Sequence, residues 1–225
     1  MLAAIFMRNN LSIPMTILFV ALLCMGTQCH KEEIEYKYNF IEKIDLSPTQ
    51  KGYKIGDTIW IRYSNPDKRL FDNKSGNYIA ADTVSVGFQV SFNSRYNAPV
   101  SPSGGFCDYV TANGVNVGRY LGDYGTGLST TFGCNSNGGL LLTVGIVPKQ
   151  KGIYSLDLLS APESVTACAN RSSGFPISII EYRFNVTDGN KDVYLSIPPI
   201  SRGESEKGYT ESKIDSKQVY IVNVE

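Results

Sequence analysis

An all-β, antiparallel β-sandwich is the fold this 225-residue sequence predicts, on three observations. The first is alternation. Val84, Val86, Phe88, Val90 and Phe92 are separated by Ser85, Gly87, Gln89 and Ser91, as in a strand with one face on a core and one in water. The second is a succession of short β-rich runs divided by turns, in a chain with 21 Gly and 10 Pro. The third is that no long stretch carries the apolar period of an amphipathic helix.

The chain opens on a targeting signal. Arg8 precedes an apolar run from Ile13 to Leu23, then the small and polar residues Gly26-Thr27-Gln28, then Cys29. The run is shorter than the ~20 apolar residues a membrane-crossing helix needs, and it fits the core of a secretory signal peptide. Met7 offers an alternative start. The segment resembles a bacterial lipoprotein signal, in which the first mature residue is a lipid-modified cysteine. Cys29 fits that role better than Cys24, which lies inside the apolar run. The resemblance implies residues 1–28 as signal peptide and residues 29–39 as lipidated cysteine and tether. Two or more acyl chains would anchor the protein stably to a membrane, at ~0.8 kcal/mol per buried CH₂. The polar head Cys29-His30-Lys31-Glu32-Glu33 resembles the start of surface lipoproteins in Bacteroidota, a resemblance that implies a place on the cell envelope, at the outer membrane.

The folded domain is expected over 40–225. Phe40, Ile44 and Leu46 share one strand parity, and Pro48 ends that run. Thr58 to Tyr63 is dense in β-formers, with Trp60 expected in the core. Residues 64–82 read as a polar loop, and the alternating strand follows. Residues 93–138 read as a glycine-rich insertion, with ten glycines from Gly104 to Gly139. Within it, Asn113-Gly114 predicts a hairpin turn, because both central residues of that turn need positive φ. Leu140 to Val147 is a strand, Pro148 to Gly152 a turn, and Ile153 to Leu159 the return. Ser178 to Thr187 and Gln218 to Val224 complete the strands; the last is apolar enough to demand a place in a sheet. The polar stretch 188–216 leaves room for a short helix after Pro198-Pro199.

Gly152-Ile153-Tyr154 resembles the tyrosine corner of immunoglobulin-like sandwiches, in which a tyrosine hydroxyl ties down a turn. Leu156 stands where antibody domains carry a cysteine. Together with Tyr53-Lys54-Ile55-Gly56-Asp57-Thr58 before the tryptophan strand, the disposition of strands over 40–225 resembles uncharacterised Bacteroidota lipoproteins with an immunoglobulin-like β-sandwich. That resemblance implies a fold and no chemistry.

Composition narrows the function. Removing the signal takes away Arg8 and no acid, leaving 20 cations against 21 carboxylates. Such a surface has no basic excess for phosphate contacts, so nucleic acid is not an expected partner. The single histidine is His30, beside the proposed lipid, which argues against histidine-based hydrolases and histidine zinc sites. No catalytic residue, cofactor or metal is expected. Asp188-Gly189-Asn190-Lys191-Asp192 has calcium-loop spacing, but Val193 and Pro199 replace the glycine and glutamate such a loop requires, so a turn is expected. Asp108 and Asp123 are the carboxylates a glycosidase would use, if they faced each other.

Of the mature cysteines, Cys107 and Cys134 are the expected disulfide, which would staple the insertion, with Cys168 to either one as the alternative. Tyr109, Tyr120 and Tyr124 are the candidate ligand contacts. Loop aromatics can stack on sugar faces, although packing over the insertion's own small core is the reading that comes first for such a group. The sequence therefore leads to a membrane-anchored, non-enzymatic binding or structural module, in contact with a glycan or an envelope protein. A carbohydrate-binding accessory of a polysaccharide-uptake system is the sharper alternative, and a carboxylate-based glycosidase the distant one.

Overall fold

Alternation decides the architecture strand by strand. In the computed structural model, which describes residues 37–81, 87–97, 105–134, 139–160, 178–202 and 204–225, fourteen strands form two sheets. The chain divides into Met1–Glu35 and Tyr36–Glu225, and the sandwich belongs to the second unit. Strand β1 (Tyr38–Ser47) turns Phe40, Ile44 and Leu46 inward and Asn39, Ile41, Lys43 and Asp45 outward. Its first half runs parallel to β13 (Ser178–Phe184), and its last three residues pair with β3 (Ile59–Asn65). The hairpin β4 (Arg69–Asp72) and β5 (Asn77–Ala80) continues that sheet on one side. On the other side β3 pairs with β11 (Leu140–Pro148), whose far edge takes β7 (Cys107–Asn113) and β10 (Gly133–Cys134).

The second sheet has the order β2, β14, β12, β6, β9, β8. These strands are β2 (Gly52–Tyr53), β14 (Val219–Val224), β12 (Gly152–Ser160), β6 (Phe88–Tyr96), β9 (Gly125–Thr131) and β8 (Val115–Leu121). The terminal strand β14 is docked between β2 and β12, as its composition requires. Side chains from the two inner faces meet in one core. Phe88 of β6 packs edge-on against Tyr182 of β13 at 5.3 Å, and Phe184 of β13 lies 5.9 Å from Tyr220 of β14. Each such fully buried apolar side chain contributes about 1.5–3 kcal/mol. The fold is an immunoglobulin-like β-sandwich, and Tyr154 completes its corner: the hydroxyl donates to the Lys151 carbonyl at 3.2 Å while the ring stacks on Phe92 at 4.3 Å.

Several expectations are corrected. Residues 93–138 are not an insertion: they supply the end of β6 and the whole of β7, β8, β9 and β10. Asn113-Gly114 is not a hairpin turn, since β7 lies in the first sheet and β8 in the second. Gly114 has the positive φ expected of it, +111°, but uses it to cross between sheets. The stretch 64–82 carries the β4–β5 hairpin rather than a plain loop. Trp60 is not in the core. Ile59, Ile61 and Tyr63 take the inward parity of β3, so Trp60 and Arg62 face outward, stacked at 5.6 Å. The helix allowed for after Pro198-Pro199 does form, as the twelve-residue α2 (Glu204–Asp215), and a short α1 (Lys191–Leu195) that was not expected precedes it. Buried Tyr194, Ile197 and Ile214 seal these helices against Val219 and Ile221, on the outer face of β14.

The expected Cys107–Cys134 disulfide is absent: Cys107 is a buried free thiol. Register explains why. Cys107 pairs with Pro148 at one end of β11 and Cys134 with Leu140 at the other. Eight residues of strand separate these positions by about 26 Å, far beyond the ~7 Å between Cα atoms that a disulfide spans. Cys24, Cys29 and Cys168 lie outside the described residues.

Candidate binding face

The helices cover the β14 side of the second sheet and leave its other half open. The outward positions of β6 are Gln89, Ser91, Asn93 and Arg95, a polar row at strand period. On β12, Ser155 and Asp157 face the same way. Arg95 Nε donates to Ser155 Oγ at 2.8 Å, its guanidinium lies 3.4 Å from the Asp157 carboxylate, and Asn93 donates to the same carboxylate. Both members of this ion pair are largely shielded, which holds the row rigid.

On the other flank, the outward positions of β9 opposite Ser91 and Asn93 are Gly127 and Gly125. With no side chains there, the neighbouring strands reach across. Tyr120 of β8 pairs with Gly127, and its ring passes over that glycine so that the hydroxyl bonds both Gln89 Nε2, at 2.9 Å, and Ser91 Oγ. One ring face rests on the sheet and the other meets solvent, with 40% of the residue exposed. Tyr124, in the β8–β9 turn, is 78% exposed. With Asn93, Arg95 and Asp123, the two tyrosines line an open cleft of about 520 Å³. That size suits a small ligand.

The structure therefore divides the expected tyrosine trio. Tyr120 and Tyr124 share the cleft. Tyr109 does not: it sits on β7, packs against the core and donates its hydroxyl to the Thr126 carbonyl at 2.6 Å. Burial pushes its hydroxyl well above the usual phenol range. Asp123 lies in the cleft, whereas Asp108 is held by Lys149 at 3.3 Å and Arg119 at 3.5 Å. In the calcium-like stretch, Asp188 accepts the Asn190 amide in a turn and Asp192 pairs with Lys51. No cluster of three or more metal-ligating side chains occurs among the described residues. Nor does any described helix have the length and apolarity to cross a membrane. Sequence reasoning missed Asn93, Arg95 and Asp157. The signal for the first two was the polar half of the β6 alternation, whose apolar half was read.

The cleft has a definite place along the sandwich. β1 ends at Ser47, opposite Trp60 near the start of β3, and β3 starts opposite the end of β11. β12 follows three residues after β11, its first residues face the end of β6, and the end of β6 lies beside the β8–β9 turn. Tyr124 thus lies at the end where β1 finishes. Tyr38, where the chain enters the sandwich, lies at the opposite end, about 30 Å away by strand length.

No family model matches this chain, and no curated protein matches it. Among solved structures it is similar to a non-cellulosomal cohesin from the hyperthermophilic archaeon Archaeoglobus fulgidus, with 13% identity over 69% of this chain and 98% of that one, at a TM-score of 0.25 that carries no functional argument.

Proposed function

We propose that this protein is a lipid-anchored, non-enzymatic binding module of the cell envelope, tethered through Cys29 and holding its ligand in the cleft of Tyr120 and Tyr124. The observation that supports it is the opposition just described. A chain tethered before Tyr38 presents the cleft at its far end, away from the anchoring membrane. Rigid strands with a ligand-facing turn are the usual way a sandwich supports binding. Replacing Cys29 with Ser tests the anchor: the variant should leave the membrane fraction and lose palmitate labelling. Protease applied to intact cells then tests the outer-membrane placement, because a surface-exposed protein is degraded and a periplasmic one is protected.

One observation favours a saccharide as the ligand. The Tyr120 ring is fixed flat with one face open, and amide, guanidinium and carboxylate groups flank it. A flat apolar face beside convergent hydrogen-bonding groups matches a pyranose ring, which has one apolar face and a rim of hydroxyls. Retention on a panel of polysaccharides in native affinity gels, lost in Tyr120→Ala and Tyr124→Ala, is the expected result. Retention unchanged in both variants would exclude this cleft as the sugar site.

A further inference from the structure

The first sheet carries a second exposed feature, on the face opposite the cleft. In the β4–β5 hairpin, Phe71 pairs with Tyr78, and their rings meet edge-on at 5.3 Å. The Phe40–Asp72 pairing places Ile41 opposite Phe71 on the same outward side. Ile41, Phe71 and Tyr78 are 36%, 43% and 65% exposed, so an apolar row crosses three strands in open solvent. Cations surround it. Lys43 and Arg69 stand next to it on the same parity, Lys74 lies at the hairpin tip, and Lys37 lies at the start of β1. The acid beside the row on β13, Glu181, is engaged by Arg183 at 2.5 Å. Asp72, on the inward parity of β4, is turned onto the backbone amides of Asn39, Lys74 and Ser75, and Asp45, beyond Lys43 on the outward parity of β1, accepts from Asn185 at 2.9 Å.

We infer that this β1–β4–β5 face docks on an anionic lipid surface, the same membrane that holds the chain. Two features select a lipid surface over a protein. The first is position. The row begins four residues after Lys37, and Lys37 is only eight residues after Cys29, a reach of at most about 29 Å. The inference rests here on the reading that Cys29 is acylated, since the tether then keeps this face at the bilayer. The second is chemistry. Aromatic rings ringed by lysine and arginine match the interfacial zone, where rings sit at headgroup level and cations meet lipid phosphates. The row lies beside the Tyr38 end of β1, so docking would seat that end of the sandwich on the membrane by its β1–β4–β5 side. The outer face of the second sheet, with Tyr120 and Tyr124, would then point away from it.

The test uses the protein purified from membranes, with acylation of Cys29 read first by mass spectrometry, so that failure of the anchor is seen separately. The protein is then placed in phosphatidylglycerol-containing vesicles, in phosphatidylcholine vesicles and in detergent, and hydrogen exchange is followed. Residues 69–80 should exchange at least about fivefold more slowly in the anionic vesicles only, while the β8–β9 turn is unchanged. The protection should vanish in Phe71→Ser/Tyr78→Ser and weaken in high salt. If Cys29 proves unacylated, the same vesicles are tested by sedimentation, and salt-sensitive binding lost in the double variant supports docking without the anchor. Equal exchange in all three environments would overturn the proposal, as would protection that instead follows protein concentration in detergent, the sign of a second copy on this face.

Discussion

The ring of Tyr120 occupies the space a side chain at position 127 would need: a Cβ built on Gly127 falls among the ring atoms. Gly127→Ala must therefore push the ring off the sheet and break its hydroxyl contacts with Gln89 and Ser91. Tyr120 lies on the edge strand β8 and can swing outward, so the fold should survive with a loss of about 1 kcal/mol. Binding in the cleft should fall at least about tenfold, because a ring without a fixed face no longer stacks. Thermal melting and ligand titration on the same variant check both halves. Full binding by Gly127→Ala would show that the platform plays no part.

Cys107 is fully buried, and burial pushes its thiol up to about 12. The thiolate that reacts with alkylating reagents is then nearly absent at neutral pH. Native protein should leave Cys107 unmodified by iodoacetamide, while denatured protein should be labelled there quantitatively. Peptide mapping should also find no Cys107–Cys134 crosslink in non-reduced material. A crosslinked peptide would contradict the register of β7 and β10 on β11.

What the sequence disclosed follows from how strongly one face of each strand is buried. Phe88, Val90 and Phe92 announce β6 because their neighbours are polar, and β1 is legible in Phe40, Ile44 and Leu46 for the same reason. Trp60 misleads because size suggested the core, yet parity with Ile59 and Ile61 puts it outside. There it lies over Gly145, whose missing Cβ would stand 3.0 Å from its ring. The same device explains the misread glycine-rich region. Gly125 and Gly127 are strand residues over which Asn93 and Tyr120 lie, so glycine there marks crowding above a sheet and not a loop. Helix α2 was legible only as room for a short helix after Pro198-Pro199, because its sequence, Glu-Ser-Glu-Lys-Gly-Tyr-Thr-Glu-Ser-Lys-Ile-Asp, carries almost no apolar period to fix its bounds. Of the site, the two cleft tyrosines were legible, but their polar partners depend on pairings between strands far apart in the chain.

Tyr154→Phe isolates the corner. The ring keeps its stack on Phe92 and its contact with Phe106, and only the hydroxyl bond to the Lys151 carbonyl is lost. The expected cost is about 0.5–1.5 kcal/mol, the worth of one hydrogen bond. Tyr154→Ala, which also empties core volume between the sheets, should cost about 3–5 kcal/mol. Chemical denaturation of both variants measures the difference, and equal losses would mean that the hydroxyl, not the ring, does most of the work.

Asp72 gives the fold an acid-sensitive point. Burial opposes its ionisation, but bonds from the Asn39 amide at 2.8 Å and from Ser75 and Lys74 outweigh that and lower it from 3.8 to about 2. A carboxyl held below its unfolded value stabilises the protein fully above that value and loses the contribution as pH falls toward the folded one. Stability from this residue should therefore be constant from pH 7 to about pH 4, and should decline between pH 4 and pH 2. Asp72→Asn removes the charge and turns an amide group toward backbone donors, so it should cost about 1–3 kcal/mol at pH 7. In that variant the decline between pH 4 and pH 2 should be shallower than in the wild type, because the titrating group is gone. Melting temperatures of the two proteins across this range decide the matter. Parallel curves would assign the acid sensitivity to other carboxylates and remove Asp72 as the clasp that joins the β4–β5 hairpin to β1.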